Sequence, residues 1–255
     1  MAMARSRRWR DLADDPGLAR TTLRGERGPY VGRCHRVPRR FAREPALERL
    51  LRELARGHGP QCWWPAETPF EVLVGAVLTQ NTAWVNVERA LVALKKHTAL
   101  TPARLITLPS SELGLVIRAS GYFRAKARKL QELSRWYLES GGLRHLAEAP
   151  LSEVRRELLA VWGIGPETAD SILCYAAGRR VAVIDAYARR VLGRHGLVDP
   201  ELPYEELRAW LEERLVPSQA VHEETHALFV RAGYHHCKPT PRCDGCAATA
   251  PANPC

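Results

Sequence analysis

Hydrophobic side chains recur at helical spacing along nearly the whole chain after residue 43, and this periodicity restricts the fold more than any other feature. The first stripe places Leu47, Leu50, Leu51 and Leu54 on one helical face. Four further stripes follow at Val87, Ala90, Leu91 and Leu94; Leu130, Leu133 and Tyr137; Leu207, Leu211 and Leu215; and Thr225, Leu228, Phe229 and Ala232. A strand is indicated only at residues 180–184 (RVAVI), which are too few and too isolated to form a sheet. The sequence therefore predicts an all-α fold.

Positive charge is concentrated at the N-terminus. Residues 1–43 contain twelve Arg and no Lys against four acidic side chains, which accounts for +8 of the formal net charge of +10. A short basic arm of this kind is typical of proteins that bind polyanions, and nucleic acid is the commonest polyanion in cytoplasm. A solvated tail that only aids solubility is the alternative interpretation.

The composition excludes membrane proteins and secreted disulfide scaffolds. The chain has 255 residues, of which 45% are apolar and 26% charged, and this suits one large domain or two small interlocked ones. No apolar run approaches the ~20 residues that span a bilayer, and the Arg-rich N-terminus lacks the apolar core of a secretory signal. We expect a cytoplasmic, nucleoid-associated protein of bacterial type with no membrane partner.

The segment 158–170 (LLAVWGIGPETAD) predicts two helices joined by a tight turn. Pro166 stands where the first residue of the second helix is expected, because a helix leaves that backbone N–H unpaired in any case. Gly163 and Gly165 permit positive φ and let the turn's amides approach another chain closely. These amides and the positive end of the second helix would form an anion site suited to a phosphodiester. A bare turn between core helices is the alternative.

Four of the seven cysteines lie in the last nineteen residues, with the spacing C-x5-C-x2-C-x8-C. They are Cys237, Cys243, Cys246 and Cys255. Four thiolates in an irregular loop suit a tetrahedral metal ion or a cubane cluster. Disulfides or idle thiols are the alternative. The isolated Cys34, Cys62 and Cys174 are expected to be ordinary thiols.

The hairpin continues into GIGPETADSILCYA and RVAVIDAYARRVL, and this run resembles the helix-hairpin-helix DNA glycosylase superfamily of endonuclease III. The resemblance covers roughly residues 44–255 and implies two domains with DNA bound across the cleft between them. Residues 67–177 would form a six-helix barrel that contains the hairpin, and residues 44–66 with 178–255 would form a helical domain that carries the cysteine loop. Residues 1–43 would be a flexible arm.

The resemblance also implies roles for the hairpin and for one aspartate. Gly163, Gly165 and Thr168 would lie at the backbone of double-stranded DNA that contains a damaged base, and the enzyme would act as a monomer. Asp185 falls where the family keeps its catalytic aspartate. A carboxylate beside C1′ stabilises an oxocarbenium-like sugar and can orient or deprotonate water. A helix N-cap is the alternative role for Asp185.

Bifunctional members of the family place a Schiff-base lysine directly before the threonine of the hairpin helix. Here that position is Glu167, and none of the chain's five lysines falls there. Because a carboxylate cannot form an imine, we expect a monofunctional glycosylase without lyase activity. Glu167 is then expected to shape the base pocket.

The stretch WWPAETPFEVLVGAVLTQNTAW resembles the branch of the superfamily that removes 3-methyladenine and related alkylated purines. In that branch two aromatic side chains sandwich the flipped base. The resemblance therefore assigns Trp63 or Trp64, together with Trp84, to the base pocket. Gln80 falls where relatives insert a polar wedge into the gap that the flipped nucleotide leaves. The alternatives are a glycosylase for oxidised or mismatched bases and a non-catalytic DNA-binding member.

The resemblance favours a [4Fe-4S] cluster at the four C-terminal cysteines. The commonest family spacing is C-x6-C-x2-C-x5-C, so this chain departs from it in two gaps. Those departures leave zinc as the alternative metal.

Overall fold

The computed structural model describes residues 36–248, so most of the predicted arm and the last cysteine, Cys255, lie outside the described residues. The described part is helical, and its β pairing is confined to one isolated bridge between Ala42 and Leu215. The prediction of an all-α fold is confirmed. None of the helices described is long and apolar enough to cross a membrane.

Twelve α-helices follow one another in the described residues. The first six are α1 (Pro45–His58), α2 (Pro69–Leu78), α3 (Trp84–His97), α4 (Pro102–Thr107), α5 (Ser110–Val116) and α6 (Phe123–Glu139), with a 3-10 turn at Arg118–Ser120. The others are α7 (Gly142–Glu148), α8 (Leu151–Ala160), α9 (Pro166–Ser171), α10 (Ala186–Arg194), α11 (Tyr204–Arg214) and α12 (Gln219–His235), and a π-helical turn at Ile172–Ala176 extends α9.

Polar side chains fix the starts of the helices that carry the site. Thr68 Oγ1 accepts the Glu71 amide at 3.1 Å and caps α2. The first residue of α2 is Pro69, which lacks the backbone N–H that a helix leaves unpaired at this position. Asp185 caps α10 in the same way. These local signals set where each helix begins, whereas burial of one face holds it in the fold.

Two hydrophobic cores divide the described residues. The first is built mainly by α2, α3, α6 and the π-helical turn, and the second by α1, α10, α11 and α12. The extended segment 181–184 lies where the cores meet: Val181 and Val183 belong to the first, and Ala182 and Ile184 to the second. Side chains of an extended segment point alternately to opposite sides, so this segment lies between both cores. Asp185 follows it directly.

The folded part begins earlier than the sequence suggests. Phe41 and Ala42 fall within the predicted arm, yet both are fully buried in the second core. The Val216 amide donates to the Phe41 carbonyl at 2.8 Å, and the Arg43 amide donates to the Arg214 carbonyl at 2.7 Å. Residues 41–43 are thus part of the folded unit. The sequence does not reveal this, because one buried aromatic side chain among many arginines leaves no periodic signal.

Candidate active site

Asp185 follows an extended segment that pairs with no strand among residues 36–248. The Ala182 amide donates to Glu212 Oε1 at 3.0 Å, and the Ile184 amide donates to the Tyr204 hydroxyl at 3.4 Å. Side chains of α11 thus take the place of a neighbouring strand. Asp185 Oδ1 then accepts the Ala188 amide at 2.7 Å, which caps α10. The carboxylate serves as an N-cap through this one oxygen, and Oδ2 remains for other contacts.

A buried ion pair joins the hairpin helix α9 to this segment. Asp170 is fully buried, and its two carboxylate oxygens accept from Arg155 Nε at 2.7 Å and Nη2 at 3.1 Å. Tyr204 donates its hydroxyl proton to Asp170 Oδ2 at 2.9 Å while accepting the Ile184 amide. The chain of contacts from Arg155 to Ile184 therefore sets the position of Asp185 relative to the hairpin.

Glu167 stands at the first turn of α9 and shares the electrostatic field of Asp185. Surrounding protein atoms desolvate the Glu167 carboxyl, and the Asp185 carboxylate repels its charge, so the pKa of Glu167 rises to about 7. His226 opposes this rise. The position directly before Thr168 thus carries an acid whose pKa lies near neutral pH.

The two glycines of the hairpin, Gly163 and Gly165, have different roles. Gly163 has φ +82°, and a Cβ there would lie 2.6 Å from Cγ of Lys129, so both conformation and packing require glycine. Gly165 has φ −95°, which any residue adopts. A Cβ at Gly165 would meet no atom of the described residues within 4 Å. The open side of Gly165 leaves room for another chain.

Gln80 lies on the turn between α2 and α3 and contacts the hairpin. Its Nε2 donates to Thr168 Oγ1 at 2.9 Å and to the Gly163 carbonyl at 3.2 Å. Lys129 Nζ donates to Gln80 Oε1 at 2.5 Å. The fold therefore brings together three of the predicted DNA-contacting residues, Gln80, Gly163 and Thr168. Lys129 of α6 lies with them, although nothing in the sequence distinguishes it from a surface lysine.

The adjacent tryptophans differ in their surroundings. Trp64 is 5% exposed and packs on Tyr175, with ring centroids 5.3 Å apart, so it is a core residue. Trp63 is partly buried, and its ring meets the Trp84 ring edge-on at 4.7 Å between centroids. Trp84 Nε1 donates to Glu88 Oε1 at 3.0 Å. Rings in mutual contact leave no gap for a base, so a sandwich between Trp63 and Trp84 requires them to separate.

His226 and Tyr175 complete the surroundings of Asp185, and sequence reasoning missed both. His226 Nε2 lies 3.6 Å from Asp185 Oδ2, and Tyr175 Oη lies 2.6 Å from His226 Nδ1. A single histidine within a helical apolar stripe resembles any core histidine, and only the folded chain brings it to Asp185.

The cysteine loop packs beside α10. Arg194 Nη1 lies 3.5 Å from Cys237 Sγ, and Arg190 Nε donates to the Cys237 carbonyl at 2.9 Å. Cys237 and Cys246 are free thiols. Burial desolvates the Cys246 thiol and raises its pKa, and the neighbouring Cys237 raises it further. Within residues 36–248 no three His, Cys, Asp or Glu side chains are grouped as metal ligands.

Two cysteines differ from their expected states, which were an ordinary thiol for Cys62 and a metal ligand for Cys243. Cys243 and Cys62 are both disulfide-bonded, whereas Cys174 is a buried free thiol as predicted. Cys34 lies outside the described residues. Thiolates beside an arginine N–H suit a metal or cluster, but a complete set of ligands would need Cys243 in reduced form.

Comparison with known proteins agrees with this geometry. The protein MJ1434 of Methanocaldococcus jannaschii, provisionally described as a DNA repair glycosylase, is 38% identical over 203 residues, which are 78% of this chain and 92% of that protein. Endonuclease III of Thermotoga maritima is 30% identical over 179 residues, covering 70% of this chain and 79% of the relative.

Solved structures superpose on the same region. The H. pylori 3-methyladenine DNA glycosylase MagIII bound to 1,N6-ethenoadenine gives a TM-score of 0.64 at 28% identity, covering 74% of this chain and 97% of that chain. A non-covalent endonuclease III–DNA complex gives 0.65 at 28% identity, covering 77% and 88%. The profile of the HhH-GPD superfamily base excision DNA repair proteins matches residues 74–217. The chain therefore belongs to the HhH-GPD superfamily of base excision DNA repair proteins.

Proposed function

We propose that this DNA glycosylase is monofunctional: as a monomer it flips a damaged base out of duplex DNA and hydrolyses the N-glycosidic bond. The observation that carries the proposal is a pair of neighbouring carboxyl groups. One belongs to Asp185, which caps α10, and the other to Glu167, which stands where the resemblance implies a lysine in bifunctional relatives. Hydrolysis needs a carboxylate beside the sugar but no amine nucleophile.

Asp185 performs the proposed chemistry at the sugar. Its charge stabilises the positive charge that develops on C1′ as the bond to the base breaks. A water molecule then attacks C1′ and loses its proton to the Asp185 carboxylate, which leaves an abasic sugar and the free base. Oδ1 accepts the Ala188 amide at 2.7 Å, and each carboxylate oxygen keeps a further lone pair that can accept the proton.

An alkylated purine is the substrate that the aromatic groups favour. Such a base carries positive charge, stacks well on an electron-rich indole and leaves without protonation. Trp63 and Trp84 supply two neighbouring indoles, and Glu167 adds a carboxyl group in the field of Asp185. The MagIII structure, which contains 1,N6-ethenoadenine, supports this choice. The second candidate is a glycosylase for oxidised or mismatched bases, which the resemblance to endonuclease III implies.

Base release from a panel of duplexes tests the function. Each duplex carries one lesion, either 3-methyladenine, an oxidised pyrimidine or a mismatch, and the products are read with and without alkali. We expect an abasic product on the damaged strand and cleavage only after alkali. Asp185→Asn should abolish release, and Asp199→Asn, a loop aspartate outside the site, is the matched control. Full release by Asp185→Asn would refute the proposed chemistry.

The absence of lyase activity has its own test. Glu167→Lys places an amine in the field of Asp185, so the variant should form an imine with the abasic sugar that borohydride traps. The unaltered chain should yield no trapped adduct. Strand scission by the unaltered chain without alkali would contradict the monofunctional assignment.

We propose a [4Fe-4S] cluster, with zinc as the alternative, at Cys237, Cys243, Cys246 and Cys255. The role would be structural, because the loop packs on α10 through Arg190 and Arg194. A bound cluster supplies no chemistry to the sugar and would order the loop. Visible absorption and metal analysis distinguish the two metals. Cys246→Ala should lose the metal, whereas Cys174→Ala, a buried free thiol elsewhere, should retain it.

A further inference from the structure

The second oxygen of the Asp185 carboxylate faces a histidine whose orientation is fixed from behind. His226 Nε2 lies 3.6 Å from Asp185 Oδ2, and the two side chains are 8% and 12% exposed. On the other edge of the ring, Tyr175 Oη lies 2.6 Å from Nδ1 and 3.1 Å from the Glu223 carbonyl. The His226 imidazole therefore lies between the buried Tyr175 hydroxyl and the Asp185 carboxylate.

The hydrogen-bond partners restrict which ring nitrogen carries a hydrogen. If the Tyr175 hydroxyl donates to Nδ1, the neutral ring holds its hydrogen on Nε2, which then faces Asp185. If the hydroxyl donates to the Glu223 carbonyl, Nδ1 must donate to Tyr175. A neutral ring in that state would turn a bare Nε2 lone pair toward a carboxylate, so the charged ring with hydrogens on both nitrogens is favoured. Both favoured states place a hydrogen on Nε2, the ring atom that lies 3.6 Å from Oδ2.

We propose that His226 is a positioning residue for base release, with Tyr175 selecting the state in which its Nε2–H points at Asp185. The Ala188 amide holds Oδ1 and His226 restrains Oδ2, so the plane of the carboxylate is fixed relative to the sugar. This inference rests on the proposed role of Asp185. It adds that the orientation of Asp185 depends on a side chain of α12, the helix that ends beside the cysteine loop.

Other charged groups surround this pair. Glu167 on α9 faces both His226 and Asp185, and Glu223 and Glu224 of α12 interact with Tyr175. An N–H directed at a carboxylate stabilises its charged form and lowers its pKa. Loss of His226 should therefore move the acid limb of the rate profile to higher pH.

Two variants of the full chain, both at His226, test the proposal first by single-turnover base release across pH. His226→Leu removes the donor, and His226→Gln keeps an N–H near the former Nε2 position. We expect His226→Leu to lower the rate by about 100-fold, because a small misplacement of a reacting group has that effect, with DNA affinity unchanged. His226→Gln should restore the rate to within about tenfold of the unaltered chain.

The remaining outcomes are decisive as well. A His226→Leu rate equal to that of the unaltered chain, or an acid limb that does not move, overturns the proposal. If His226→Leu does not fold, Tyr175→Phe decides, since it removes only a hydroxyl: an unchanged rate and pH profile would overturn the proposal. Asp185→Asn in parallel separates the two hypotheses, because a fully active Asp185→Asn enzyme rejects the proposed function itself.

Discussion

Gln80 Nε2 lies 2.9 Å from Thr168 Oγ1, although the two residues are 88 positions apart in the chain. The contact fixes the predicted wedge against the hairpin before any DNA is present. Lys129 holds the other end of the same amide, with Nζ 2.5 Å from Oε1. Gln80 and the hairpin turn therefore form one unit, and the predicted wedge role requires the Gln80 side chain to exchange these partners for DNA.

Replacement of Gln80 by alanine should impair extrusion more than chemistry. Extruding a paired base costs a few kcal/mol, part of which an inserted side chain compensates, so we expect Gln80→Ala to slow base release from a duplex by about tenfold. The loss should shrink for a lesion in single-stranded DNA, where no gap needs filling. Single-turnover rates on both substrates give the comparison. Gln219→Ala, on α12, is the control, and an equal loss on both substrates would argue against the wedge role.

Alanine should affect a different property at each hairpin glycine, stability at Gly163 and DNA binding at Gly165. Gly163 has φ +82° and packs on Lys129, so Gly163→Ala should lower the free energy of unfolding by about 1 kcal/mol or more. Gly165 has φ −95° and an open side, so Gly165→Ala should keep the melting temperature but weaken DNA binding by filling the space beside the amides. Thermal unfolding and fluorescence anisotropy at several salt concentrations measure both. Undiminished affinity of Gly165→Ala would place the DNA backbone elsewhere.

Glu167 should make stability depend on pH. Its pKa rises from 4.5 to about 7 in the folded chain, because desolvation and Asp185 disfavour the charged form. The folded state thus binds more protons than the unfolded state between these values, and stability falls as the pH rises through this window. Glu167→Gln removes the effect. Its melting temperature relative to the unaltered chain should increase from pH 4.5 to about 7 and then level off. A pH-independent difference would show that Glu167 does not titrate there.

The sequence predicts the helical stripes well because each depends only on local spacing. All four leucines of the first stripe are buried in α1, and Pro166 begins α9 as expected. The spacing argument fails where burial comes from distant partners. Phe41 is buried by contacts with residues near 215, and nothing in the basic segment around it indicates this.

The candidate site shows the same limit. Family motifs point to Asp185, Gln80 and the hairpin, since these positions carry recognisable residues. His226 and Lys129 carry no motif, and they reach the site only because α12 and α6 pack against the segments that hold it. The sequence also leaves open which tryptophan is buried: two adjacent indoles cannot both point into the core, and only the fold assigns the buried position to Trp64.

Asp170 should contribute far more to stability than the exposed acid that shares its arginine. Asp170→Ala would leave Arg155, whose side chain is 14% exposed, without its buried partner, and breaking such a pair costs about 3 kcal/mol. Glu205 is 53% exposed and contacts Arg155 Nη2 at 2.7 Å, so Glu205→Ala should cost less than about 1 kcal/mol. Urea denaturation of both variants provides the measurement.

The Asp170 variant should also lose activity beyond its loss of stability. Tyr204 would lose its acceptor and no longer be fixed at the Ile184 amide, so the segment before Asp185 would loosen. At a temperature where both variants remain folded, base release by Asp170→Ala should therefore be slower than release by Glu205→Ala. Equal rates would mean that the segment 181–184 is held by its alternating burial in the two cores alone, and that the ion pair adds stability without orienting Asp185.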